Sequence, residues 1–446
     1  MNVAHFSTYA YGGAATAAIR VHRGLLACGV NSRFVHGDDP DSKTDVPTFQ
    51  VFQTRPLSEN RLLKPLAVQI RRLRAKRARH DYRKHLADRP KEFEVFSTAR
   101  LFQPTVIDFS ALNADIVHLH WISFLIDYAS FFRSIPRRTP IVWTLHDMNP
   151  LTGGCHYSAG CTAFKTGCGD CPQLANPNRN DASADSIRLK RRTLRNRNLH
   201  IVTPSRWLHL LAKQSPIFPQ QTTFSVIPYG LDTKVFSPLH KSVAKQKLGL
   251  AADARVVLFG AEQIENRRKG FQFLAEALTK LQSRSDTVCL LFGESSGARE
   301  LIASSANDFP TIVEAGYLKT DEQKRLVYSA ADLFVMPSLE DNQPQTGLEA
   351  MACGTPVVAF NAGGIPEYVI EAETGLLANV GDSDALSRQI QLLIDQPEFA
   401  QTLGQAARRM VERNHNLTRQ GEQYLQLYGQ TNRHASQSHR VASRAA

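Results

Sequence analysis

Two acidic residues, Asp341 and Glu349, lie close together in the segment 337–360, which contains a loop and a short helix. The helix follows an apolar run, and Gly354 and Pro356 are typical of its end. The first backbone N–H groups of this helix lack intrahelical partners and belong to Gln345, Thr346 and Gly347. Such a helix start binds phosphates, and a carboxylate beside it can accept from sugar hydroxyls. We therefore predict a diphosphate site, the alternative being an ordinary strand–turn–helix–strand unit.

Four cysteines lie in the glycine-rich loop 153–172, namely Cys155, Cys161, Cys168 and Cys171. In a reducing compartment, clustered thiols are more often metal ligands than disulfides. Only the last pair has the short spacing of a zinc knuckle. A structural zinc site, two disulfides and four unligated thiols are the interpretations that the spacing leaves open.

Apolar runs of strand length alternate with helical stretches in two successive series. The first series has runs at 2–6, 116–120, 141–145 and 201–203, and the second at 255–259, 288–292 and 333–336. This alternation predicts an α/β protein with parallel sheets. Gly12 and Gly13 follow the first run, where glycine lets the backbone approach a ligand closely. A full G-x-G-x-x-G pattern is absent, so the evidence for a dinucleotide cofactor is weak.

The length of 446 residues allows two domains with a large core. We expect a first domain over 1–235 and a second over 236–400. A long helix is predicted from about residue 398 to 428. The polar residues 431–446 are predicted to form a disordered tail.

Composition is that of a globular protein, with 42% hydrophobic and 21% charged residues. The N-terminus lacks the basic and apolar regions of a secretory signal. No apolar stretch approaches the ~18 residues that a membrane span needs. These features predict a cytoplasmic protein whose seven cysteines are reduced.

The net charge of +12 is concentrated in residues 61–91, where twelve Lys or Arg and two acids give 12 − 2 = +10. Apolar residues recur at helical spacing in this segment, at Leu62, Leu66, Ile70 and Leu73. A basic amphipathic helix of this kind binds anionic membrane surfaces. The alternative is a solvated insertion whose apolar stripe packs on its own domain. Nucleic acid is disfavoured, because no stacking aromatics are interleaved with the arginines.

The segment 337–360 resembles the nucleotide-sugar site of retaining glycosyltransferases of family 4, which share the two-domain GT-B fold. The resemblance rests on Pro-Ser at 337, the acids at 341 and 349, and the run Ala-Met-Ala-Cys-Gly-Thr-Pro-Val-Val. Other segments resemble the family in the expected order: 141–147, 202–206, 226–232, 259–270, 362–367 and 373–377. The resemblance extends over most of the chain, and its C-terminal half is the more specific.

Three positions depart from the family pattern: Asp341 stands for Glu, Ala261 for Arg and Pro344 for Gly. The shorter carboxylate reaches about 1.5 Å less far, and a misplacement of about 1 Å can cost much of a rate. Either Asp341 acts from a shifted loop or the adjacent Glu340 replaces it. The register favours Asp341.

The resemblance implies two Rossmann-like domains whose parallel sheets face each other across a cleft. The first domain would bind the acceptor near Gly12 and Gly13. The second would bind the nucleotide diphosphate sugar, and a helix over 401–430 would return to the first domain.

The resemblance also implies how the donor is held. Glu349 would bind the ribose hydroxyls, and Asp341 the hydroxyls of the donor sugar. Lys269, with Arg267 or Arg268 as a second cation, would neutralise the diphosphate as charge develops on it. The alternative for these three basic residues is a solvated turn before a helix.

His146, which ends a strand, is implied to lie near the anomeric carbon. The Gly363–Gly364 loop would leave room for the sugar or the acceptor. The implied reaction retains the anomeric configuration, proceeds by front-side attack and needs no divalent metal or other cofactor.

The Cys-rich loop after His146 is similar to that of transferases of exopolysaccharide and colanic-acid assembly. This similarity implies a UDP- or GDP-sugar donor and a lipid-linked or growing polysaccharide acceptor, used at the inner face of the plasma membrane. The alternatives are a nucleotide-sugar epimerase on the same fold and a catalytically degenerate membrane-binding protein.

Overall fold

A computed structural model describes most of the chain. The described residues are 1–37, 73, 76, 80, 86–101, 105–282, 285–294 and 309–442, with side chains described as far as 431. Most of the basic segment 61–91 lies outside these residues. Its amphipathic helix and its contact with a membrane therefore stay predictions.

The first sheet has six strands among the described residues, in the order β2-β1-β3-β4-β5-β6. The strands are β1 (Asn2–Ser7), β2 (Asn31–His36), β3 (Ile116–Leu119), β4 (Ile141–Thr144), β5 (Leu199–Thr203) and β6 (Thr223–Val226). All neighbouring pairs are parallel. The chain adds β2 on one side of β1 and then continues from β3 on the other side. The carboxyl ends of β1 and β3 therefore flank a topological switch point, where open α/β sheets bind ligands.

The second sheet also has six strands within the described ranges, in the order β12-β11-β10-β7-β8-β9. The strands are β7 (Arg255–Gln263), β8 (Thr287–Glu294), β9 (Thr311–Glu314), β10 (Leu333–Met336), β11 (Val357–Phe360) and β12 (Gly375–Ala378). They too are parallel. Here the switch point lies between β7 and β10. The predicted α/β class with two parallel sheets is confirmed.

Helices connect the strands and cover the sheets. They span Gly12–Ala27, Phe109–Leu112, Tyr128–Ser134, Ala182–Leu194, Arg206–Gln214, Lys241–Lys247, Phe271–Thr279, Asp321–Ala330, Gln345–Ala352, Ser383–Asp395, Pro397–Asn414 and Leu417–Ala442. Several helices begin at a residue whose side chain caps the first turn. Asp181, for example, accepts from the N–H groups of Ser183 and Ala184 at the start of the helix Ala182–Leu194. Within the described part of the chain, no helix is both long enough and apolar enough to span a bilayer.

Strand β4 shows why the first sheet is stable. All four of its residues are buried, as expected for a parallel strand covered on both faces. Trp143 packs into the cluster on one face, with Phe131 and Leu145. Val142 points to the opposite face and packs with Tyr424.

The chain forms two compact units, residues 1–227 with 421–446 and residues 228–420. The sequence placed the boundary at 235. Residues after 227 are held within the second unit because Tyr229 N–H donates to Gln343 Oε1 at 2.7 Å. In addition, Leu231 N–H donates to the carbonyl of His415 at 2.8 Å.

The C-terminal segment has two helices where the sequence predicted one. The first ends at Asn414 and the second begins at Leu417. His415 Nδ1 contacts the carbonyl of Tyr229 at 2.9 Å, which holds the chain at this break. The second helix reaches Ala442, so it includes most of the tail predicted to be disordered. Residues 431–442 contain neither Gly nor Pro, and no helix breaker stops the helix earlier.

Candidate active site

Asp341 is the centre of a charged cluster in the second unit. Its Oδ2 accepts from Lys269 Nζ at 2.7 Å and from Arg268 Nη1 at 2.9 Å. Its Oδ1 accepts from the backbone N–H of Asn342 at 2.9 Å. The sequence placed the cations and this carboxylate on different parts of one ligand. The structure brings them into direct contact, whereas Arg267 is exposed beside them.

Backbone contacts fix the loops that carry this cluster. The N–H of Leu339 donates to the carbonyl of Arg268 at 2.8 Å, and Arg268 Nη1 donates to the carbonyl of Glu340 at 2.8 Å. Glu340 thus contributes a carbonyl where Asp341 contributes its carboxylate. A Cβ at Gly363 would lie 1.8 Å from the Asp341 carbonyl oxygen, so only glycine permits this approach. Gly363 therefore packs against the acidic loop, in addition to any room that it leaves for a ligand.

The cluster carries a net positive charge although its centre is a carboxylate. Burial by itself raises the pKa of Asp341, but Lys269 and Arg268 outweigh it and hold the pKa well below its ordinary value. Asp341 is therefore ionised at neutral pH. Two cations and one anion leave an excess of one positive charge, which favours an anionic ligand.

Glu349 lies on the helix that follows the acidic loop. The helix starts at Gln345, as predicted, and extends to Ala352. Glu349 is buried, and its Oε2 accepts from the Tyr328 hydroxyl at 3.1 Å. In the first turn, Gln345 and Thr346 are half-buried. A Cβ at Gly347 would lie 2.5 Å from the Tyr368 hydroxyl, so this turn is closely packed.

The charged cluster lies at the switch point of the second sheet, and the helix with Glu349 follows the loop of the cluster. The turn Arg267–Lys269 follows β7, and the loop that carries Asp341 follows β10. These two strands are neighbours although they are far apart in sequence. The groups that the sequence predicted to bind one ligand therefore lie at the same edge of one sheet.

His146 follows β4 in the first unit and is 8% exposed. Its Nε2 lies 3.0 Å from His120 Nδ1. Burial lowers the pKa of His146 to about 4, against the opposing charge of Asp147. The imidazole is therefore neutral at pH 7. His118 and His120 are fully buried and have packing and hydrogen-bonding roles.

Asp147 organises a network that the sequence did not predict. Its Oδ2 lies 2.6 Å from His156 Nδ1 and accepts from Trp121 Nε1 at 2.7 Å. Burial by itself raises the pKa of Asp147. His156, the Asn149 N–H and Trp121 together lower it by more, so the net shift is downward. The His146–Asp147 dipeptide was the available signal. The sequence did not indicate the partners His156 and Trp121, because they lie in other loops.

An aromatic strip borders this network at the carboxyl edge of the first sheet. The rings of Tyr11 and Tyr9 are 5.0 Å apart, and those of Tyr9 and Trp121 are stacked at 5.6 Å. Tyr11 is 56% exposed, and Phe124 continues the strip 6.0 Å from Trp121. Next to Tyr11, the helix Gly12–Ala27 begins, and a Cβ at Gly13 would meet nothing within 4 Å.

The four cysteines of the glycine-rich loop, Cys155, Cys161, Cys168 and Cys171, line one cavity of about 20 Å³. All four are free thiols. Tetrahedral zinc holds thiolates about 3.8 Å apart, but no three of these described thiols lie within 4.8 Å of one another. Burial also raises the pKa of Cys168 to about 11. The thiols therefore share a cavity but are spaced more widely than the ligands of one zinc ion.

Residues 241–410 match the model of the family described as glycosyl transferases group 1. The match covers most of the second unit, including the charged cluster and Glu349.

The curated relatives match this chain over segments of 41% and 49% of its length. D-inositol 3-phosphate glycosyltransferase of Arthrobacter sp. (strain FB24) is 32% identical over 189 residues, 41% of this chain and 44% of that protein. GDP-mannose-dependent monoacylated alpha-(1-6)-phosphatidylinositol monomannoside mannosyltransferase of Corynebacterium glutamicum is 29% identical over 49% of this chain and 59% of its own length. The chain thus spans about half the length of the relatives that it matches.

Solved structures match nearly the whole chain. Sucrose-phosphate synthase from Thermosynechococcus elongatus has a TM-score of 0.67 at 22% identity, over 96% of this chain and 98% of that one. Anabaena HepE, in complex with UDP and glucose, has a TM-score of 0.65 at 18% identity, over 96% and 100%. At these identities the likeness shows the fold, which is GT-B.

Proposed function

We propose that this protein is a glycosyltransferase that moves a sugar from a nucleoside diphosphate sugar to a hydroxyl acceptor. The observation that carries the proposal is the ionised Asp341, which Arg268 and Lys269 hold at the switch point of the second sheet. The helix that follows the Asp341 loop carries the buried Glu349. The family match over the same residues and the UDP complex of a protein with this fold support it.

In this proposal each group at the switch point has a separate task. The excess positive charge of Arg268 and Lys269, with the exposed Arg267 beside them, binds the diphosphate. The first turn of the helix, with Gln345, Thr346 and Gly347, faces the same phosphates. Glu349 accepts from the ribose hydroxyls in exchange for its bond with Tyr328.

Asp341 binds both cations and is placed to accept from a donor hydroxyl on its remaining lone pairs. The transfer retains configuration by front-side attack. The bond between the anomeric carbon and the leaving phosphate oxygen breaks while the acceptor oxygen bonds to that carbon. The leaving phosphate takes the acceptor proton, and the cations stabilise its growing charge without a divalent metal.

The acceptor is proposed to bind at the first unit. The rings of Tyr9, Tyr11 and Trp121 offer flat apolar faces, which suit a sugar ring, and Trp121 bonds Asp147, the chain neighbour of His146. A lipid-linked or growing polysaccharide of exopolysaccharide type is the acceptor class that we propose. Its use at the inner face of the plasma membrane would involve the basic segment 61–91. A second basic surface supports membrane contact, because four arginines of one helical region, Arg188, Arg191, Arg192 and Arg195, line a cavity of about 770 Å³.

Structural zinc at the four cysteines is retained as a separate proposal, because the thiols share one cavity although their spacing would have to contract. Metal analysis of the purified protein decides it. One zinc per chain, lost when Cys168 and Cys171 are changed to Ser, supports zinc. A metal-free protein of full thermal stability rules it out.

A thermal-shift panel of UDP- and GDP-sugars tests the donor site. We expect one nucleotide class to raise the melting temperature of the wild type and to lose this effect in Glu349→Ala, because ligand binding stabilises only the folded state. Glu398→Ala is the matched control, since Glu398 is exposed in the first turn of the helix Pro397–Asn414 and should leave protection intact. Protection that survives in Glu349→Ala, or none with any donor, would contradict the proposal.

Product analysis of the protecting donor then separates the activities. Sugar incorporation into an added glycan acceptor is the expected result. A change of configuration at one carbon of the donor sugar, without any acceptor, would identify an epimerase instead.

A further inference from the structure

Three histidines from neighbouring strands form one hydrogen-bonded line in the first unit. His5 Nδ1 lies 2.9 Å from His120 Nε2, and His120 Nδ1 lies 3.0 Å from His146 Nε2. His5 belongs to β1, while the other two follow the ends of β3 and β4, which are the next two strands of the sheet. The line therefore runs from the buried switch point of the sheet to the candidate site.

Each ring in this line carries one ring proton. Burial and the nearby histidines lower the pKa values of His5 and His120 far below that of an ordinary histidine. Burial lowers the pKa of His146 to about 4. A neutral imidazole has one N–H and one lone pair. Two hydrogen bonds among three such rings can run in only two ways. Either every N–H points towards His146, or every N–H points towards His5.

The inner end of the line distinguishes the two directions. His5 Nε2 is buried and has no hydrogen-bond partner among the described residues. If the bonds ran towards His5, this nitrogen would carry a buried N–H without an acceptor, which is rare in folded proteins. If they run towards His146, only a lone pair is left there.

The outer end favours the same direction. Asp147, next to His146, is ionised and stabilises positive charge on that ring. A line of N–H groups that all point towards His146 places the positive end of its summed dipole at that ring, where the negative charge of Asp147 favours it. Hydrogen bonds in such a line also polarise and strengthen one another.

We propose that His5 and His120 are positioning residues that fix His146 as its Nδ1–H tautomer, with Nε2 committed as an acceptor within the line. His146 is then a neutral ring that carries its proton on Nδ1, and its Nε2 is not available as a general base. His118 stands outside the line, because Tyr428 and Thr144 occupy its two nitrogens at 2.7 and 2.8 Å. The inference concerns the protein without substrate and holds whichever sugar is transferred.

Nitrogen NMR on the full-length protein labelled with ¹⁵N-histidine tests the proposal directly. The shifts of the ring nitrogens report which one is protonated, and N–N couplings across the hydrogen bonds report the line itself. His146→Gln assigns the outer ring. We expect His120 and His146 to be protonated at Nδ1 by about tenfold or more over Nε2, with couplings across both bonds.

Three results would overturn the proposal. Protonation of His146 at Nε2 reverses the direction, and an imidazolium at pH 7 removes the neutral line. Missing couplings show that the line does not exist, as would follow from a metal ion on His5, His118 and His120, whose ring nitrogens lie within 4.8 Å of one another.

A pair of variants separates positioning from general stability. His5→Leu removes the inner donor, so His120 and His146 should become mixtures of tautomers. His200→Leu removes a buried histidine whose two ring nitrogens contact Thr223 and Ser225, and should leave the tautomer of His146 unchanged. An unchanged tautomer in His5→Leu contradicts the role of His5. Should that variant not fold, the wild-type spectrum alone decides the direction.

Discussion

Asp341 is the residue on which the second unit's candidate site depends. The chain has Asp where the family that it resembles has Glu, and the structure accommodates this difference by direct pairing with Arg268 and Lys269. A longer side chain would carry the carboxylate about 1.5 Å further and would lose this geometry. The Asp at position 341 is therefore matched to the positions of Arg268 and Lys269.

The backbone of Asp341 is held by a glycine, and this contact gives a prediction. Gly363 has φ +58 and its Cβ position overlaps the Asp341 carbonyl oxygen. Gly363→Ala should cost about 1–3 kcal/mol of stability through strain and displacement of the loop, and it should weaken donor protection. Thermal unfolding with and without donor measures both effects.

Gly249→Ala is the control for this prediction. Gly249 has a similar φ of +70, but a Cβ there meets nothing within 4 Å. It should show only the cost of the backbone conformation and keep donor protection. Equal effects of the two substitutions would show that the contact with Asp341 does not matter.

At the scale of elements, the C-terminal helix is part of the first unit's core. Tyr424 and Tyr428 are fully buried, and their hydroxyls bond Thr144 at 2.7 Å and His118 at 2.7 Å. The helix thus satisfies polar groups that β3 and β4 bury. Without it, these groups would lack partners in a medium where an unmade bond is costly.

Tyr428→Phe tests this contribution. Loss of the hydroxyl leaves His118 Nδ1 buried without its partner, so the first unit should lose about 1–3 kcal/mol. Tryptophan fluorescence in denaturant measures the effect, because Trp121, Trp143 and Trp207 all lie in the first unit. In contrast, Tyr128 buries a hydroxyl with no partner among the described residues. Tyr128→Phe should therefore be neutral or stabilising, and an equal loss in both variants would refute the argument.

For the whole molecule, buried histidines are distributed unequally. In the described part of the first unit, burial lowers the pKa of His5, His22, His118, His120, His146 and His200. In the second unit the same holds for His415, to about 4. These rings are neutral in the fold and become charged when the chain unfolds.

Acid should therefore unfold the first unit before the second. Below pH 6.5 the unfolded chain binds protons that the folded chain does not, so stability falls as the pH drops towards 4. Each histidine contributes up to about 1.4 kcal/mol per pH unit in this window. Tryptophan fluorescence against pH follows the first unit, and His200→Gln should lower the slope by about one proton. A first unit of constant stability between pH 6.5 and 4 would contradict the prediction.

The sequence by itself determined the local elements of this protein. Periodicity and the residues that end helices predicted β4, β10 and the helix that starts at Gln345, and a family resemblance singled out His146, Asp341 and Glu349. These features depend on neighbours in the chain, whose preferences are visible in a short window of sequence.

The tertiary structure decided which of these groups meet. The Arg268–Asp341 pair and the His5–His120 contact each join strands that are adjacent in a sheet but distant along the chain. The end of the first unit at 227 and the break at His415 likewise depend on long-range hydrogen bonds. Strand order is set by packing of the whole chain, and a local pattern of residues carries no record of it.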